Sequence, residues 1–178
     1  MDYLLIGSKH LDEIQYFVKK HVVYLSLGTN LGERLENLNQ ALDRLTIFCN
    51  VTLSSSVYET DPWGFEAQPI FYNQVVRIET DLEPLALLEE IKRIEFEMGR
   101  VPTFQYGPRL IDIDILLYDK LTMISPELKI PHPQMKSRAF VLSPLAEIAP
   151  DLVIPGEEVD IVTLNRIAGS AGIHKVKN

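Results

Sequence analysis

Cysteine is almost missing from this sequence. Cys49 is the only one, so no internal disulfide forms and no cysteine cluster offers a zinc site. A cytoplasmic setting is the expectation. No apolar run approaches the roughly 20 residues that a membrane helix needs. The first residues show no basic segment followed by an apolar run and a small-residue cleavage site, so no secretion signal is expected. Basic side chains are also short, 17 against 25 acidic ones, and the net charge of −8 speaks against a general binder of nucleic acid or of membrane surfaces. Internal repeats and low-complexity segments are absent. What is present suits one globular domain with a real core, 178 residues of which 46% are hydrophobic and 24% charged. An acidic protein binds a polyphosphate only through a local group of Arg or Lys, or through a divalent metal on its own carboxylates. Residues 100–138 contain both.

Hydrophobic periodicity sets the expected layout. Leu11, Ile14, Phe17 and Val18 fall at helical spacing, so residues 1–20 read as an extension with a short amphipathic helix over 11–20, ahead of a domain spanning 21–178. Residues 21–27 (HVVYLSL) read as a strand ending at Gly28. A helix over 31–45 follows, with Leu35, Leu38, Leu42 and Leu45 on one stripe. Val51, Leu53, Ser55 and Val57 share one face of a second strand, and two prolines and a glycine make 60–69 a loop. A third strand is expected over 73–80. Pro84 fits a first helical turn, with Thr80 and Glu83 as a capping box, Leu87, Ile91, Ile94 and Met98 as the buried stripe, and Gly99 as the stop. A loop over 100–108 leads into a strand over 109–118. The tail reads as a short helix near 136–147 and a last strand near 152–154. Strand, helix, strand, strand, helix, strand is the order of an α+β fold with a ferredoxin-like split βαβ core, a mostly antiparallel sheet covered by helices.

The densest chemistry lies in Gly107-Pro108-Arg109-Leu110-Ile111-Asp112-Ile113-Asp114-Ile115-Leu116-Leu117. Side chains alternate across a strand. Ile111, Ile113, Ile115 and Leu117 are therefore expected on one core face, with Asp112 and Asp114 together on the other, roughly 7 Å apart at Cα. Carboxylates this close repel, and a bound cation relieves them. Mg²⁺ suits such a pair because it takes one or two carboxylates and completes its shell with substrate phosphates and water. Two ions are expected, clamping the attacking and leaving oxygens. Arg109 offers a bidentate pair to phosphate, with a structural salt bridge as its alternative.

The run G-P-R-x-x-D-x-D followed by aliphatics resembles the 6-hydroxymethyl-7,8-dihydropterin pyrophosphokinase family. Further similar motifs follow in order: Leu27-Gly28-Thr29-Asn30-Leu31-Gly32, Tyr58-x-Thr60, Gln68-Pro69-x-Phe71-x-Asn73, Glu95-x-x-x-Gly99-Arg100, Pro131-His132-Pro133 and Arg138-x-Phe140. The resemblance implies transfer of the terminal pyrophosphoryl unit of ATP to a pterin hydroxymethyl oxygen, with release of AMP, in folate synthesis. It implies Asp112 and Asp114 as metal ligands, with Arg100 and Arg109 beside them as catalytic residues. It implies a pterin sandwiched between Phe71 and Phe140, read by Asn73, with backbone near Thr60 and Trp63 closing the pocket. It places Glu95, Arg100, Arg109, His132 and Arg138 near ATP, and Ile115 and Leu128 near adenine, largely through backbone. Several have a plain structural alternative: core packing for the two phenylalanines, a turn cap for Asn73, a structural role for His132, solvation at the helix boundary for Glu95. The loop before Gly-Pro-Arg departs from the family. It reads Val101-Pro102-Thr103-Phe104-Gln105-Tyr106, poor in arginine and with Tyr106 where the family carries tryptophan.

Two rivals belong to other classes. A nucleotidyltransferase also holds metals with D-x-D, but releases pyrophosphate and leaves an adenylated product. A non-enzymatic ferredoxin-like binding module makes neither. The oligomeric state is not encoded legibly.

Overall fold

His21–Thr29 forms β1, whose odd positions Val23, Leu25 and Leu27 are fully buried. Its even positions beyond Tyr24 are small, Ser26 and Gly28, and the space above them becomes important below. The computed structural model describes residues 20–62, 64–101 and 107–177. The helix expected over 11–20 therefore falls, apart from Lys20, outside the described residues.

After β1 come α1 (Arg34–Leu45), β2 (Asn50–Ser54), β3 (Tyr58–Thr60), β4 (Phe71–Thr80), α2 (Pro84–Glu97) and β5 (Asp112–Tyr118). The small hairpin β6 (Met123–Ile124) and β7 (Lys129–Ile130), α3 (Ala139–Ile148), α4 (Ile161–Ala168) and β8 (Ile173–Lys175) complete the order. The main sheet runs β5-β1-β4-β3-β8, with β2 also beside β4. Every pairing in it is antiparallel. Placing the fourth element of the split βαβ beside the first, and the third beside the second, gives the expected ferredoxin-like sheet. Two apolar layers cover it. α1 and α2 pack on Val23, Leu25, Leu27, Ile113 and Ile115, while α3 packs on the other face over Val75, Leu116 and Leu117.

Several elements differ from expectation for identifiable reasons. The second strand is two strands. Ser55 is buried, and its hydroxyl accepts from the Val75 N–H at 3.0 Å, replacing the ladder partner there. A register shift between Val51 and Leu53 then turns Leu53 outward. β4 begins two residues early, at Phe71. α1 begins at Arg34 instead of residue 31, because the Asn37 amide ties back to Thr29 Oγ1 and the Leu31 carbonyl. Leu35 is consequently exposed, and Leu38, Ala41 and Leu45 form the buried stripe. The stripe expected in α2 is buried throughout, but the capping box does not form. Glu83 makes no side-chain cap, and the Thr80 hydroxyl donates to the Phe48 carbonyl and accepts from Leu82 N–H.

β5 starts at Asp112, three residues later than expected, and its alternation breaks at Leu116. The register with β1 slips between Tyr24 and Leu25, so Leu117 joins the α3 layer and not the face of Ile113 and Ile115. A bulge of this kind adds one residue to one strand and reverses the faces beyond it. Leu116→Ala is expected to cost about 2–5 kcal/mol, as for any fully buried leucine, measured as a shift of the urea midpoint at constant slope. A loss below 1 kcal/mol would show that Leu116 is not a core residue.

In the tail, the expected helix is broken into a 3₁₀ turn, Met135–Ser137, and α3. The expected last strand reduces to a single bridge, Val153 to Asp160. α4 and β8 are additions to the expected layout. Asp160 caps α4 by accepting from Thr163 N–H.

Candidate active site

Ser26 and Gly28 on β1 lie directly opposite Asp114 and Asp112 on β5. Large side chains there would fill the sheet face. Instead an open cleft lies over it, lined by Gly28, Thr60, Asp61, Phe71, Asn73, Arg109, Asp112, Asp114, Arg138 and Phe140 among others. Gly28 lets the Asn73 side chain come close: a Cβ on it would stand 3.0 Å from Asn73 Oδ1.

One end of the cleft is ionic. Asp112 pairs with two arginines, Arg100 at 2.7 Å and Arg109. Arg100 reaches there because Gly99 takes φ 90° and the Arg100 N–H bonds back to the Glu95 carbonyl. Glu95 holds Arg100 from below. It also accepts from Ile113 N–H at 2.7 Å and from Lys92 Nζ at 2.9 Å. At 2% exposure Glu95 is a buried anchor and not the solvated boundary residue of the alternative reading. Asp114 has looser partners, Arg138 at 3.7 Å and His132 at 4.0 Å. Burial, and then Asp112 beside it, push its carboxyl up to about 6, against the pull of Lys92 and Arg138. Burial and the Arg138 charge push His132 down to about 4, so its imidazole is neutral at pH 7. Its Nδ1 accepts from Gln134 N–H at 3.2 Å, which leaves the ring proton on Nε2, the nitrogen nearest Asp114.

Among the described residues, no three His, Cys, Asp or Glu side chains gather into a ready metal cage. Two carboxylates on one strand face, one of them strained by its neighbour, are still a donor set that a hard divalent cation fits when substrate oxygens and waters complete its shell.

The other end is flat and mixed. Phe71 and Phe140 are half-buried in the cleft lining, and Phe140 also packs against the apolar layer under α3. The Asn73 amide donates to Thr60 Oγ1 at 2.7 Å, and both residues are buried. Asn30 ties the two ends together. Its amide donates to Gln68 Oε1 and the Pro69 carbonyl, both at 3.0 Å, and its Oδ1 accepts from Arg109 N–H at 2.8 Å.

The residues foreseen for chemistry thus divide. Asp112, Asp114, Arg109, Arg138, Thr60, Phe71, Asn73 and Phe140 line one cleft; Arg100 and His132 reach its carboxylates, and Glu95 supports them. Ile115 and Leu128 instead bury their side chains in the layer under α1 and α2, and the Leu128 N–H and carbonyl are both bonded to Ser125. Trp63 and residues 102–106 lie outside the described residues. Ser26 and Asp61 are additions to the lining. The alternation of β1 pointed to Ser26, whereas nothing local distinguishes Asp61.

The family model for 7,8-dihydro-6-hydroxymethylpterin-pyrophosphokinase matches residues 24–150. The 2-amino-4-hydroxy-6-hydroxymethyldihydropteridine pyrophosphokinase of Aquifex aeolicus is 44% identical over 133 residues, 75% of this chain and 83% of its own length. The protein of the same name from Haemophilus influenzae is 44% identical over 138 residues, 76% of this chain and 86% of its own. Folic acid synthesis protein FOL1 of Dictyostelium discoideum is 45% identical over 135 residues, 76% of this chain, which spans only 20% of that longer protein. Among solved structures, Plasmodium falciparum HPPK-DHPS with pterin and p-hydroxybenzoate superposes with a TM-score of 0.68 at 18% identity, covering 84% of this chain and 42% of the other. That likeness speaks for the fold. Matched over most of its described length by the family model, and by bacterial relatives little longer than the match, this chain belongs to the 7,8-dihydro-6-hydroxymethylpterin-pyrophosphokinase family.

Proposed function

We propose that Asp112, Asp114, Arg100 and Arg109 carry out the family's reaction, transfer of the terminal pyrophosphoryl group of ATP to the hydroxymethyl oxygen of 6-hydroxymethyl-7,8-dihydropterin, giving the pterin diphosphate and AMP for folate synthesis. The observation that carries this assignment is the placing of both aspartates on one face of β5, in a cleft with arginines at one end and Phe71, Asn73 and Phe140 at the other.

Transfer of this kind asks for positioning and charge neutralisation more than for covalent catalysis. Asp112 and Asp114 would hold Mg²⁺, two ions in our reading, and the metal would supply charge neutralisation for the transfer. Arg100 and Arg109 pair with Asp112, and their charges are available to phosphate oxygens. Arg138 and the Nε2–H of His132 flank the same polyphosphate. Phe71 and Phe140 stack the flat pterin. Asn73, with Thr60 behind it, offers donor and acceptor to the pterin amide edge. No helix among the described residues is long and apolar enough to cross a membrane. The use of ATP and a lone thiol, Cys49, support a cytoplasmic setting.

Incubation with ATP, Mg²⁺ and 6-hydroxymethyldihydropterin, followed by mass analysis of both products, tests the reaction. AMP and a pterin diphosphate are expected, whereas pyrophosphate with an adenylated pterin would assign a nucleotidyltransferase. Asn73→Ala is expected to weaken pterin binding by about tenfold or more through the lost buried hydrogen bonds, with ATP affinity retained. Unchanged pterin affinity in calorimetry would remove Asn73 from the site.

A further inference from the structure

The family match stops at residue 150, yet the chain continues through α4 and returns to the sheet as β8. That return is specific. β8 pairs with β3, setting Thr60 opposite Ile173 and Tyr58 opposite Lys175. β3 has only three residues and lies between β4 and β8. So short a strand holds its place through its neighbours. Beyond the ladder, Asp61 N–H donates to the Gly172 carbonyl at 3.4 Å, and Val176 N–H donates to the Val57 carbonyl at 2.9 Å. Glu147 on α3 closes the corner, accepting from Ser56 Oγ at 2.9 Å, Tyr58 OH at 2.8 Å and Lys175 Nζ at 3.1 Å. Thr60 and Asp61, the residues so braced, form one wall of the cleft.

We propose that β8 and the turn before it are a positioning bracket for the pterin end of the cleft, in which Gly172 seats Asp61 and so fixes the Thr60–Asp61 wall. The inference rests on the reading that the pterin occupies the end lined by Phe71 and Asn73. The fit at Gly172 is close. A Cβ there would lie 2.7 Å from Asp61 Oδ2, so a side chain displaces that exposed carboxylate and presses on the turn whose carbonyl accepts from Asp61 N–H. The ionic end, built on α2, β5 and the segment before α3, has no share in this contact.

Gly169→Ala and Gly172→Ala separate positioning from backbone strain. Both glycines have positive φ, 75° and 71°, which alanine tolerates poorly. A Cβ at Gly169 meets nothing within 4 Å. Both variants are expected to lose comparable thermal stability. Gly172→Ala alone is expected to raise KM for 6-hydroxymethyldihydropterin, about fivefold or more, with KM for ATP equal in the two proteins. Equal pterin KM in both variants overturns the bracket, as does a joint rise of both KM values in Gly172→Ala. Asn73→Ala, assayed in parallel, keeps the two ideas apart. Its failure to weaken pterin binding would sink the pterin assignment, whereas weakened binding there beside an unaffected Gly172→Ala sinks the bracket alone. Should Gly172→Ala not accumulate, Lys175→Met cuts the tie to Glu147 without straining the backbone. The same selective rise in pterin KM supports the bracket, and its absence overturns it.

Discussion

Asp114→Asn is expected to reduce AMP formation by roughly a thousandfold, as for loss of a group that stabilises developing charge, while making the metal-free protein more stable at pH 7. The two effects share one cause. The Asp114 carboxyl is pushed up to about 6 by burial and by Asp112, so folding holds its proton more tightly than the unfolded chain does. Between the unfolded value near 4 and about 6 the folded state binds the extra proton. Stability from this group is therefore greatest in acid and is lost as pH rises through that window. At pH 7 the ionised carboxylate is a liability in the metal-free fold, and asparagine removes it. The gain is on the order of 1 kcal/mol, because the cleft is open and water screens part of the repulsion. At pH 4 the advantage should vanish. The same proton competes with the cation, so Mg²⁺ affinity of the parent is expected to fall as pH drops below about 6. Thermal melts of the metal-free proteins at pH 7 and pH 4, with AMP release at saturating Mg²⁺, check both halves. A variant that keeps its activity, or melts lower than the parent at pH 7, refutes the role given to Asp114. Asp112→Asn serves as the contrast, since it strips a partner from Arg100 and Arg109 and should destabilise.

The legible parts of this fold are those where one element decides its own faces. α2 declares Leu87, Ile91, Ile94 and Met98 through its spacing, and all four are buried. β5 declares Asp112 and Asp114 on one side for the same reason. What was not legible depends on a partner strand. Leu117 changes face because β1 and β5 slip at Tyr24, which no property of β5 announces. Ser55 ends β2 because its hydroxyl finds Val75 N–H twenty residues away. Glu95 looks like a boundary residue until β5 lies over it with an Ile113 N–H that needs an acceptor. The tail is a different case. Asp160 followed by Thr163 is a readable helix start, but β8 is three residues long and has meaning only as the far neighbour of β3. The family motifs reach the cleft lining and stop short of this bracing.

Glu95 therefore carries the second large expected effect. Its carboxylate is 2% exposed and serves three donors, Ile113 N–H, Lys92 and Arg100. Glu95→Ala leaves a buried N–H without an acceptor and takes a carboxylate from a partly buried guanidinium. Breaking a fully buried ion pair costs about 3–5 kcal/mol. Arg100 and Lys92 both reach solvent, which brings the expected loss to about 2–4 kcal/mol, read from the denaturant midpoint. The consequence for catalysis passes through Arg100. That guanidinium is shared between Glu95 and Asp112, and without Glu95 it turns wholly to Asp112. A cation must then compete with two undivided arginines for one ligand. The Mg²⁺ concentration giving half-maximal AMP formation is expected to rise severalfold, with pterin KM unchanged. Glu95→Gln retains an acceptor for Ile113 N–H and should recover much of the stability. It lacks the charge that shares Arg100, so its Mg²⁺ requirement should stay high. If the glutamine variant restores the parental Mg²⁺ requirement, Glu95 acts only as a hydrogen-bond acceptor, and the coupling from the buried helix face to the metal aspartate is wrong.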